Sequence, residues 1–229
     1  MHGNIETEGG FMKKLLAFTL AETLIVIGII GVVSALTLPN LNSSTGEKEK
    51  IAKVKKIYQN LDDALGRAQA IYGPFDEWFV NDTTAAAQYT RFQSRITEFL
   101  KVSKNCGTAT GCWPTHSKNA NDDEYDGYMG LGNQRQSVIL ADGTAVLFSR
   151  ITIGGESTIS FDIDGPNKGP NKWGTDLFCV FINNENTLVA DTLDYIDANE
   201  NHVAWILNTD NMDYLKCSGL SWPDKTSCK

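Results

Sequence analysis

Apolar and polar positions divide the chain into three regimes. Residues 15–39 (LLAFTLAETLIVIGIIGVVSALTLP) are almost continuously apolar, follow the pair Lys13-Lys14 and carry one carboxylate, Glu22. A run of about 20 apolar residues is the length that spans a bilayer as a helix, so the pattern predicts a transmembrane segment. A charge at the centre of such a helix is unfavourable by roughly 2.5–3.5 kcal/mol, which marks Glu22 as a functional residue. The polar residues 40–46 are poor helix formers. Ile51, Val54, Tyr58, Leu61, Leu65, Ala68 and Tyr72 then recur at steps of three and four. That is one apolar stripe on an amphipathic helix, stopped by Gly73-Pro74.

Beyond the stripe the period shortens. Residues 90–101 (Phe92, Ile96, Phe99, Leu100) predict a second, short helix. Residues 137–140, an Asp142-Gly143 turn and residues 144–148 predict a β-hairpin with a two-residue loop. Residues 158–163 and 177–182 predict further strands, and 187–190 a return strand through the turn at 183–186. Residues 203–207 are apolar, but too short to assign by period. Turn density points to an antiparallel sheet with the long helix across one face.

Charge sharpens this division. The net charge over 229 residues is −8, whereas the segment through Lys56 holds 7 Lys+Arg against 5 Asp+Glu, leaving −10 on the remainder. An acidic head disfavours nucleic-acid binding, which needs a basic surface. Lys48, Lys50, Lys53, Lys55 and Lys56 either face acidic neighbours in an assembly or form a solvated helix face with Glu47 and Glu49.

The five cysteines all follow the apolar segment and show no Cys-x-x-Cys or zinc spacing. Cys106/Cys112 and Cys217/Cys228 read as two short-loop disulfides, and Cys179, inside an apolar run, as a buried thiol. No catalytic constellation emerges: His116 and His202 are isolated and no Ser stands in a Gly-x-Ser-x-Gly frame. The expectation is therefore a protein that is not an enzyme. Residues 127–132 (GYMGLG) have no helical pattern after them, so they do not read as a phosphate loop. The sharpest polar cluster is residues 161–176, FDIDGPNKGPNKWGTD. Asp162, Asp164, Asn167, Asn171 and Asp176 are hard oxygen ligands on a Gly/Pro-rich loop between strands, the chemistry that calcium selects, and Asp162, Asp164, Asn167 and Asp176 are the expected ligand set. The same residues can instead make turns through side-chain-to-backbone hydrogen bonds.

The order Ala17, Phe18, Thr19, Leu20, Ala21, Glu22 ahead of the apolar run resembles the N-terminus of type IV pilins and type II secretion pseudopilins. Gly31 and Pro39 fall where those proteins place a helix-weakening Gly and Pro. The resemblance implies an α+β, type IV pilin-like fold: a long N-terminal helix, transmembrane in its first half and amphipathic in its second, packed on an antiparallel β-sheet head. Residues 1–17 would be a prepilin leader, 18–42 the transmembrane and filament-core helix, and 43–229 the amphipathic helix and extracytoplasmic head. Prepilin peptidase would cut between Ala17 and Phe18 and methylate the new Phe18 amine, although Ala17 stands where Gly is usual. Met12 offers a second start, with a more ordinary leader.

Thr19, Glu22, Gly31 and Pro39 are then the assembly residues, with Glu22 meeting the Phe18 amine of an adjacent subunit. The implied partners are other copies or homologous pilin subunits, the peptidase and the inner-membrane assembly machinery. The implied location is a single pass through the inner membrane, then an extracellular or periplasmic filament. Some pseudopilins carry calcium in a loop comparable to residues 161–176. The alternative is a membrane-anchored extracytoplasmic binding protein or enzyme that never polymerises.

Overall fold

A computed structural model of the chain describes residues 20–125, 134–152, 156–190 and 202–228, with the backbone alone for residues 34–45. The chain divides into two compact units, Met1–Thr45 and Gly46–Lys229. Helix α1 (Leu20–Tyr72) supplies the described part of the first unit and opens the second. Its backbone stays helical through Pro39 and the polar residues 40–46, so local propensity does not break it there.

The membrane-crossing half is corrected by the structure. Among the described residues, no helix is long and apolar enough to cross a membrane. The apolar part of α1 whose side chains are described, residues 20–33, has 14 residues and holds Glu22 in its first turn. At 1.5 Å per residue it covers about 21 Å, short of the ~30 Å hydrocarbon layer. The type IV pilin-like architecture with a transmembrane half, and the single-pass inner-membrane location drawn from it, are overturned by this finding. These 14 residues are exposed, with Leu20 at 82% and Ile25 at 62%.

The second unit is built on a sheet whose order is its chain order. Strands β1 (Val102–Gly107), β2 (Gln136–Leu140), β3 (Ala145–Arg150), β4 (Ser157–Asp162), β5 (Leu177–Ile182) and β6 (Leu188–Val189) pair as one antiparallel meander. Period-two alternation sends Val146, Phe148, Phe161, Phe178 and Val180 to one face. There they share a buried core with Ile51, Val54, Ile57, Leu61, Leu65 and Ala68 of α1. Ile57 and Ala64 join the stripe, whereas Tyr58 and Tyr72 stay half-buried at its edge. Ala145, Leu147, Leu177, Cys179 and Phe181 point to the other face, which Trp113 and Trp173 cover. Both faces of the sheet are thus buried.

Helix α2 (Ala85–Thr97) begins at Thr84, whose hydroxyl accepts from the Ala87 amide. It lies against β2 and β3, and a 3₁₀ turn, Phe75–Phe79, packs beside it. Phe75 sits 5.1 Å from Phe92, and Phe92 5.0 Å from Phe148, ring centre to ring centre. Residues 203–207 belong to helix α3 (His202–Thr209), where Val203–Ile206 are all buried against the β5 side.

Polar contacts fix α1 to its own unit. Lys50 Nζ donates to the Thr175 carbonyl, Lys55 pairs with Asp210 at 3.0 Å and Lys56 with Asp142 at 2.8 Å. Lys53 pairs with Glu49 one turn away. Glu47 accepts from the Met212 amide and pairs with Lys216. Tyr58 and Gln69 donate to the carbonyls of Leu188 and Asn186. Lys53, Lys55 and Lys56 of this helix therefore pair with acidic groups of the same chain.

Candidate functional site

The processing residues Ala17 and Phe18, and Thr19 of the assembly residues, lie outside the described residues. Glu22 is in the first turn of α1, where an acidic side chain suits the positive end of the helix dipole. Gly31 is exposed, and a Cβ built on it would meet nothing within 4 Å. Pro39 is within the helical backbone. Glu22 and Gly31 therefore lie on an exposed, largely apolar stretch of helix.

Of the cysteines, Cys106 is bonded to Cys112 and Cys217 to Cys228, while Cys179 is a buried thiol on β5 outside both disulfides. The first bridge closes the loop that follows β1; the second closes the C-terminal loop.

The residues proposed as metal ligands stand at one end of the sheet, where β4 leaves and β5 enters. Asp162, the last residue of β4, is fully buried. Its Oδ1 accepts from the amides of Asp164 (3.1 Å) and Gly165 (3.0 Å), an Asx-type turn that reverses the chain. Gly165 is required there: its φ is +92°, and a Cβ would fall 2.7 Å from the Gly143 carbonyl oxygen in the β2–β3 turn. Asp176, also fully buried, accepts from the amides of Asn171 (2.9 Å) and Lys172 (2.6 Å), while its own carbonyl accepts from Ile163. Each buried carboxylate thus folds its own end of the loop, and the backbone hydrogen bond from Ile163 to Asp176 joins the two ends.

This arrangement leaves acceptors without donors. Asp162 Oδ2, Asp164 Oδ1 and Asn171 Oδ1 are buried and have no hydrogen-bond partner. Burial, reinforced by the adjacent Asp164 carboxyl and by Asp176, pushes the Asp162 carboxyl up to about 8. Burial also raises Asp176, against the lowering effect of the Lys172 and Asn171 amides. Asn167 is exposed, so the loop does not draw it in with the other three. Asn171, at φ +53°, belongs to the oxygen cluster read from the sequence but not to the four residues chosen there as ligands. Among the described residues no group of three or more His, Cys, Asp or Glu side chains is placed to hold a metal ion. Any ion in this loop would also need amide or backbone oxygens.

His202 is buried too, its ring 4.9 Å from that of Tyr214. Tyr214 donates to the Gly174 carbonyl at 2.7 Å. A Cβ on Gly174, at φ +77°, would stand 2.7 Å from the His202 ring, so helix α3 sits directly on the loop entering β5.

Comparison with known proteins adds little to this geometry. No family model matches the chain, and no solved structure matches it significantly. A stretch of 65 residues is 35% identical to the "Probable flagellum biosynthesis repressor protein FlbT" of Caulobacter sp. (strain K31). The match covers 28% of this chain and 49% of that protein, so the chain spans about half the length of this curated relative. These comparisons bring no pilin or pseudopilin signal.

Proposed function

We propose that the chain is a non-enzymatic structural subunit of a type IV pilus-like or type II secretion pseudopilus filament. It is processed by prepilin peptidase at Ala17–Phe18 and assembles through its N-terminal helix. The observation that carries this reading is the order Ala17-Phe18-Thr19-Leu20-Ala21-Glu22, leading directly into a helix whose apolar side chains are exposed. A contiguous apolar surface of this kind marks an interaction site. In a filament the partner is the same segment of a neighbouring copy, and Glu22 receives the Phe18 amine of that copy, neutralising two charges that are costly to bury singly. The second unit has its own core and holds its part of α1 by the contacts of Glu47, Lys50, Lys55 and Lys56.

Mass spectrometry of the protein isolated from producing cells tests this reading. The expected mature chain begins at N-methylated Phe18. A mature protein that retains Lys13 overturns it.

A second reading, a regulator of flagellum biosynthesis, has the 65-residue similarity in its favour. It predicts that deleting the gene changes flagellum biosynthesis while the protein keeps an unmethylated N-terminus.

A further inference from the structure

Helix α2 carries two arginines one turn apart, and they are served unequally. Arg91 closes its fork on both oxygens of Asp82. Arg95 lies against aromatic rings instead, 4.5 Å from the centre of Tyr72 and 5.2 Å from that of Trp78. Its Nη1 is buried with no hydrogen-bond partner, and among the described residues no carboxylate pairs with it. Glu98, a turn further on, accepts from the Tyr72 hydroxyl at 2.5 Å. Burial and the like charge of Arg91 both work against the ionised form of Arg95. Ring faces stabilise a cation, but they supply no lone pair in the plane of its N–H groups.

Arg95 borders an open groove of about 650 Å³ that runs along α2 and is flanked by Tyr72. That volume is in the range of small-molecule sites. The other polar atoms of the groove are acceptors. The Thr90 hydroxyl donates to the Ala86 carbonyl at 2.9 Å, and the Ser94 hydroxyl to the Arg91 carbonyl at 3.1 Å. With those protons committed, Thr90, Ser94 and Glu98 offer lone pairs only. Ala86 and Ala87 add no bulk, so a ring can lie close to the helix. A bare phosphate satisfies the guanidinium but faces a row of acceptors. A neutral sugar satisfies the acceptors and leaves the guanidinium unserved. A ligand with a planar carboxylate and several hydroxyls answers both, because a carboxylate matches the guanidinium fork in two parallel bonds.

We propose that this groove binds a carboxylated oligosaccharide of the uronate class. Arg95 takes the carboxylate, and Thr90, Ser94 and Glu98 accept from ring hydroxyls. The groove lies wholly within the second unit, so the inference stands or falls separately from the filament reading.

Calorimetric titration of the full chain with trigalacturonate tests it, beside three other probes: its methyl ester, sodium phosphate and tetraglutamate. The free uronate should bind, and the other three should not. Arg95→Gln should weaken uronate binding roughly 10- to 100-fold, the range for hydrogen bonds to a charged group. Arg67→Gln removes a guanidinium stacked on Phe99 outside the groove and should leave binding unchanged. If Arg95→Gln does not fold, Ser94→Ala decides, because that side chain is exposed; it should weaken binding several-fold. No uronate binding by the wild-type chain overturns the site, as does full binding by Arg95→Gln or, in its place, by Ser94→Ala. Equal binding of the methyl ester overturns the pairing of carboxylate with Arg95. Equal binding of phosphate reduces the groove to a simple anion site, and equal binding of tetraglutamate makes it an acidic-peptide site; either overturns the sugar assignment.

Discussion

Asp82 and Arg91 show how one pair of side chains can secure a junction. Arg91 donates to both carboxylate oxygens of Asp82, from Nε at 2.7 Å and from Nη2 at 2.8 Å. Two parallel charge-assisted bonds fix direction as well as distance. The Asp82 side chain is 4% exposed, so this is more than a loose surface contact. It joins the turn after Phe79 to helix α2, while next to it Arg95 lies over the rings of Tyr72 and Trp78. The Arg91 hydrogen bonds hold the Asp82 carboxyl below its ordinary value of 3.8. A carboxyl lowered in the folded state contributes stability above its unfolded pKa and loses it as pH falls through the folded one. Asp82→Asn should therefore lower Tm at neutral pH, with the gap to wild type closing in acid below the ordinary carboxylate range. Thermal melts across that range measure it. Equal melting temperatures at pH 7 would show that the pair does not stabilise this junction.

At the scale of elements, the apolar stripe on α1 is the strongest organising feature, because it needs no partner from elsewhere to be recognised. Leu61 is completely buried at its centre, whereas Ile71, one face away, is 62% exposed. Truncating a fully enclosed leucine removes its transfer free energy and leaves a cavity, about 2–5 kcal/mol together. Leu61→Ala should shift the urea midpoint accordingly, and Ile71→Ala should change stability by under about 0.5 kcal/mol. Equal shifts would mean that this helix does not seat on the sheet through the stripe.

Strands β2 to β5 were legible for a similar reason, since dense β-branched and aromatic positions punctuated by Asp142-Gly143 and Gly/Pro turns have few other readings. Strand β1 was not legible. Its sequence VSKNCG is mostly polar and exposed, and it becomes a strand by irregular pairing with β2. Helix α3 was hidden because Val203, Ala204, Trp205 and Ile206 are all buried, which erases the one-sided pattern that signals a helix. The helical backbone across residues 40–46 contradicts their propensity. In the candidate site, the carboxylates of Asp162 and Asp176 could be read as turn makers or ligands. Whether Asn167 or Asn171 faces inward depends on how the loop folds back, and spacing carries no such information. The membrane-spanning reading came from counting apolar residues, a count that the described residues do not sustain.

For the whole molecule, the two units differ in what each can bury. Gly46–Lys229 encloses an aromatic and aliphatic core on both faces of its sheet and engages Lys50, Lys55 and Lys56 of its helix internally. The described side chains of the first unit enclose nothing: Leu24, Ile25, Ile27, Ile29, Ile30, Val32 and Val33 are all more than half exposed. Apolar surface of that extent is covered by association in water, and burying each such side chain contributes about 1.5–3 kcal/mol before the entropy cost of association. The acidic balance of the remainder opposes close approach of heads, so association through the helix should strengthen as salt screens that repulsion. We therefore expect the full chain to sediment as large oligomers, more so at high ionic strength, while a fragment of residues 46–229 sediments as a monomer. The fragment should unfold with the cooperativity of the intact second unit, since among the described residues its core includes none before Ile51. Analytical ultracentrifugation of both at low and high salt is the measurement. A monomeric full chain, or a fragment that associates equally well, would move the interaction surface from the N-terminal helix to the head.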